Sequence, residues 1–173
     1  MESDFEELDD DDDSLVLHSD KKLTLINTNA RSLCPKINSL IDCLGELSAS
    51  MGIITETWLN AGDGLEEDEA DFEEGTGYGM INRCRKAGAR GVAHGGVSVV
   101  YRKSDCDLRR VPMMNRGDFE VLPVAGTLRG YSRRFVIIGC YVPPNYTAAR
   151  AKECFDHSTD VVLEVRRLSL IHI

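Results

Sequence analysis

Between Leu23 and Thr57 the chain spells strand, helix, strand in about 35 residues, the length of a βαβ unit, so its two strands are expected side by side in one sheet. The first run, Leu23-Thr-Leu-Ile-Asn-Thr, is rich in β-formers and ends in Asn and small polar residues, as a buried strand does. After Pro35, which suits a first helical turn, Ile37, Leu40, Ile41, Leu44 and Leu47 recur at intervals of three and four, the stripe of an amphipathic helix. Met51 to Thr57 then reads as the second strand. At 173 residues the chain has room for one domain.

The remainder predicts a different texture. Residues 60–77 form an acidic, Gly-rich loop, followed by a strand at 78–83 and a basic Gly-rich turn through Gly91. The runs 95–102, 106–112, 119–128 and 134–142 are short, apolar or alternating, and separated by turn residues, the pattern of an antiparallel meander. A last helix begins near Thr147, a residue able to cap it. Its stripe is Ala151, Cys154, Phe155, Ser158, Val161, Val162 and Val165. Residues 1–20, with the run Asp9 to Asp13 and little apolar content, read as a disordered acidic tail. The folded unit is expected over 21–167. Residues 168–173 form an atypical apolar end that breaks the helical pattern and looks like the edge of a fragment.

The net charge of −9 hides an asymmetry. Residues 1–13 carry −9, residues 14–62 balance, residues 63–74 carry −8, and residues 75–173 carry +8. The basic second half therefore keeps a polyanionic partner open. No run approaches the ~20 apolar residues that span a bilayer, so no membrane partner is expected. The acidic start is the opposite of a secretory signal, and the six cysteines show neither CxxC pairs nor finger-like spacing with His. They read as reduced thiols of an intracellular protein.

Four positions could carry chemistry. Glu56 ends an apolar strand, where one carboxylate suits Mg²⁺, an ion that keeps most of its waters; a solvated strand end is the plainer alternative. Asn29 follows the first strand and would meet Glu56 if the strands are neighbours, its amide able to donate to phosphate; it is equally a residue tolerated in a turn. Tyr141 and Asn145 flank Pro143-Pro144, which stop the ladder at the end of an apolar strand; a core tyrosine before a plain turn is the alternative. Arg31, with Arg83, Arg85, Lys86 and Arg90 of the basic turn, reads as a polyanion contact or as a solvated surface. His94 sits in a Gly-rich loop that matches no nucleotide-binding spacing.

Taken in order, INTNARSL, the amphipathic helix, ITETWL, GGVSVVYR and FVIIGCYVPPN resemble the endonuclease–exonuclease–phosphatase family, specifically the endonuclease domain of LINE-type (non-LTR) retrotransposons, over about 23–165. The resemblance implies a four-layer α/β sandwich, two packed sheets flanked by helices, present as an incomplete first part. It implies hydrolysis of DNA phosphodiesters with Mg²⁺, Mn²⁺ being an alternative, to prime reverse transcription. Asn29 then matches the phosphate-orienting Asn, Glu56 the metal ligand, Tyr141 the phosphate-bonding Tyr, and Asn145 a less constant Asn on the same turn. Implied partners are DNA and, in a full-length protein, a downstream reverse transcriptase domain and the element RNA. The implied location is the nucleus, after a cytoplasmic ribonucleoprotein stage.

The departure is as informative as the match. The family's Gly-Asp-x-Asn and Ser-Asp-His motifs do not follow Tyr141. Arg116-Gly117-Asp118-Phe119-Glu120 imitates the first in letters but precedes Tyr141 and introduces a different strand. This chain is therefore expected to bind DNA and not to cut it. The alternatives are a non-catalytic nucleic-acid-binding remnant and a phosphatase or phosphodiesterase of the same superfamily.

Overall fold

The computed structural model describes residues 23–59, 70–71, 76–84, 95–112, 119–130 and 134–170. The acidic tail at 1–20, most of the acidic loop, Arg85, Lys86, Arg90, His94 and residues 171–173 lie outside the described residues.

The βαβ unit forms as its sequence requires. Strand β1 (Leu25–Asn29) leads through a single 3-10 turn at Cys34–Lys36, with Pro35 inside it, into α1 (Ile37–Glu46), and β2 (Met51–Thr55) returns parallel to β1. The first sheet continues with β3 (Ala70–Asp71), β4 (Tyr78–Arg83) and β5 (Val97–Arg102), in the order β1-β2-β5-β4-β3. It is a mixed sheet, since β5 runs antiparallel to both β2 and β4. The second sheet is a three-stranded antiparallel meander of β6 (Cys106–Arg110), β7 (Glu120–Leu128) and β8 (Arg134–Tyr141). The last element is α2 (Ala148–Leu170).

Alternation along the strands sorts their side chains into layers. Ile54, Met80 and Val100 face α1, where they pack with Leu33, Leu40 and Leu44. Met51, Ile81, Val97 and Val99 face the opposite way and meet Leu108, Leu122 and Val124 of the second sheet. The outer face of that sheet, through Val121, Ile138 and Cys140, receives Cys154, Val161 and Val165 of α2. Helix, sheet, sheet, helix is thus the stacking order, the expected four-layer α/β sandwich.

Two expectations need correction. The run 95–102 does not belong to the meander: β5 is a central strand of the first sheet, buried along nearly its whole length, and its neighbours β2 and β4 come earlier in the chain. The stripe of α2 is also narrower than its sequence reads. Phe155 is 60% exposed and Val162 43%, because a residue one step along from Cys154 or Val161 is turned by about 100° away from the sheet. The cap at Thr147 is present, its Oγ1 accepting the Arg150 N–H at 3.2 Å. Helical backbone continues to Leu170, into the segment expected to break the pattern.

Candidate active site

The parallel register of β1 and β2 sets Asn29 opposite Thr55, so both strands leave the sheet at one edge. In the antiparallel ladders that follow, Thr55 faces Val97 and Val97 faces Arg83. Asn29, Thr55, Val97 and Arg83 therefore form a row across the sheet, with Asn29 and Arg83 roughly 14 Å apart by three strand spacings. Glu56 is the first residue beyond that row.

Past β2 the backbone is strained. Glu56 and Trp58 have φ of +51° and +52°, and facing them Arg31 and Ser32 have +44° and +80°, a region costing non-glycine residues about 1–3 kcal/mol each. The surroundings hold them there. The Ser32 and Leu33 N–H groups donate to the Glu56 and Thr57 carbonyls, both at 2.9 Å, and the Trp58 N–H donates to the Gly95 carbonyl at 2.8 Å. The exit of β2 is thus bonded on both sides, and Glu56 is aimed by its neighbours.

Tyr141, the last residue of β8, reaches across from the second sheet and its hydroxyl donates to Glu56 Oε1 at 2.5 Å. A second carboxylate makes the reverse crossing. Glu120 opens β7, is the ladder partner of Tyr141, and is 2% exposed. Its Oε2 accepts the Gly96 N–H of the first sheet at 2.5 Å. Gly96 has a φ of +92°, and a Cβ there would lie 2.4 Å from Thr57 Oγ1; at Gly95 a Cβ would lie 2.5 Å from Glu120 Oε1. Glycine therefore suits both positions, each with a positive φ and with a side-chain oxygen where a Cβ would stand. The sheets are latched at this edge by Glu56 running outward and Glu120 running back.

The expected residues separate accordingly. Glu56 and Tyr141 are in direct contact. Asn29 stands exposed at the adjoining strand exit, its Oδ1 accepting the Arg31 N–H at 3.2 Å, and Arg31 is exposed beside it. Arg83, half-buried, ends β4 on the same edge. Asn145 lies exposed in the turn after β8. Glu120 and the glycine pair were not anticipated as part of this edge. The signal for Glu120 was a lone acid among Phe119, Val121 and Leu122 in an otherwise apolar strand.

The donors at this edge are hard oxygens, the Glu56 carboxylate and the Asn29 amide, which match the ligand chemistry of Mg²⁺ or Mn²⁺. Among the described residues no group of three or more His, Cys, Asp or Glu gathers around a common point.

No protein-family model and no curated protein matches the sequence. Among solved structures the chain is similar to AP endonuclease LMAP from Leishmania major, with 16% identity over 78% of this chain and 45% of that one, and a TM-score of 0.48. It is also similar to the 3′ phosphatase NExo from Neisseria bound to product DNA hairpin, with 15% identity over 66% of this chain and 40% of that one, and a TM-score of 0.41. The chain spans less than half the length of either. Among the described residues no helix is long and apolar enough to cross a membrane.

Proposed function

We propose that this chain carries the metal-binding and phosphate-binding side of a DNA phosphodiester hydrolase of the LINE-type endonuclease kind. The observation that supports it best is the Tyr141 hydroxyl held at 2.5 Å on the Glu56 carboxylate where the two sheets meet. A bound Mg²⁺ at Glu56 would supply charge to offset the oxyanion that develops on the phosphate. Tyr141 has a single hydroxyl proton, which would turn from Glu56 to a phosphate oxygen once the carboxylate holds the ion. Asn29 donates its amide to another, and Arg31 and Arg83 place positive charge along the same edge for the flanking backbone. The wording of ITETWL and YVPPN favours a retrotransposon enzyme over a phosphatase. The same reading puts the full-length protein in the nucleus, with a reverse transcriptase domain and element RNA as partners.

The residue that would orient the attacking water is not assigned to any position, so this chain is expected to bind duplex DNA without cutting it. Filter binding of the 173-residue chain across a salt series tests the first half: the logarithm of the binding constant should fall linearly with the logarithm of salt concentration. Binding that salt leaves unchanged, or none at low salt, overturns the reading. Supercoiled plasmid incubated with the chain and Mg²⁺ or Mn²⁺ tests the second half. Nicking that Glu56→Ala abolishes would show the catalytic set to be complete within these residues and the assignment of a missing role wrong.

A further inference from the structure

On the far side of the second sheet from the candidate site, two thiols meet. Cys140 is the penultimate residue of β8 and Cys154 lies nearly two turns into α2; their sulfurs are 3.9 Å apart. Ser158 closes the group, its hydroxyl donating to the Cys154 carbonyl at 2.9 Å with its oxygen 3.5 Å from Cys140 Sγ. We propose that Cys140 and Cys154 form a peroxide-responsive dithiol, a modification site whose oxidised form ties α2 to the strand that ends at Tyr141.

The two cysteines differ in a way that assigns their order of reaction. Cys154 is fully buried, and burial with the neighbouring Cys140 pushes its thiol up to about 12, so it stays protonated and out of reach of solvent oxidants. Cys140 is half-buried. Its sulfur, giving up the thiol proton, attacks one oxygen of hydrogen peroxide; the O–O bond breaks, and the departing hydroxide takes that proton to leave as water, with a sulfenic acid at Cys140. The Cys154 sulfur then attacks Cys140 Sγ, the S–O bond breaks, the Cys154 proton leaves with the hydroxyl as a second water, and the S–S bond forms. Two thiols are oxidised by two electrons and one peroxide is reduced. The sulfurs close from 3.9 Å to about 2.05 Å, a movement that the rotation of two side chains at a helix–sheet seam provides. The inference is independent of the phosphodiesterase reading, because it concerns the opposite face of β8.

The 173-residue chain is treated with equimolar hydrogen peroxide, its remaining thiols are alkylated in denaturant, and it is digested without reduction for mass mapping. The expected product is one crosslinked pair of peptides carrying Cys140 and Cys154, two hydrogen masses lighter than their sum, with buried Cys106 recovered in alkylated form. Recovery of Cys140 and Cys154 on separate peptides overturns the proposal, as does an equal yield of the pair when peroxide is added in denaturant. In Cys154→Ser the pair disappears and dimedone labels Cys140. In Cys140→Ser, Cys154 resists dimedone, and its labelling would overturn the order of attack. The oxidised wild-type chain should unfold at a higher temperature than the reduced one, reversibly with dithiothreitol, because the crosslink restricts the unfolded chain. An equal or lower Tm would show that the seam does not accommodate the bond.

Discussion

In the five-stranded sheet β4 and β5 are buried along nearly their whole length, between α1 on one face and the second sheet on the other; β8 of the three-stranded sheet is half-exposed over most of its residues, because α2 covers only one end of its outer face. The candidate site draws on both. Glu56 is delivered by the well-covered sheet and then held by bonds on two sides, whereas Tyr141 comes from the thinly covered one. The difference teaches that the carboxylate is the fixed member of the pair and the tyrosine the member that adjusts.

Chemical denaturation of single variants sharpens that contrast. Ile54→Ala removes a fully buried side chain of β2 that packs between the sheet and α1, and should cost about 2–5 kcal/mol. Gly96→Ala combines a φ of +92° with a collision on Thr57 Oγ1, and should cost about 1–3 kcal/mol while disturbing the Glu56 turn. Thr147→Ala removes the cap of α2 for about 1 kcal/mol, confined to the second sheet's side. Val136→Ala, at a position 38% exposed on β8, should stay within about 0.5 kcal/mol. Amide exchange read alongside should be slower in β5 than in β8; equal protection would break the comparison.

Much of this was legible in the residues because it was local. The βαβ spacing predicted the β1–β2 pairing, the strand end predicted the place of Glu56, and Thr147 capped the helix it was expected to cap. What escaped depended on distant pairing. The run at 95–102 has the same apolar texture as the meander strands, and its membership of the first sheet is decided by β2 and β4, which lie earlier in sequence. Glu120 reads as an interruption of an apolar strand until Gly96 is seen opposite its carboxylate. Phe155 and Val162 fall on a helical stripe by spacing, yet the residues of α2 that the sheet buries are Cys154, Val161 and Val165. Asn145 shares a turn with Tyr141 by sequence and remains exposed there.

Glu56 and Tyr141 are separated by 85 positions in the chain. On a ribosome adding ~5–20 residues per second, Glu56 exists for roughly 4–17 s before its tyrosine has been made. Until Gly95 is made, the strained turn around Glu56 has only the Ser32 and Leu33 N–H groups just past β1 to hold it, and Glu120 and Tyr141 follow later still. The first half of the molecule must wait, unfinished, for the second to hold its acid in place.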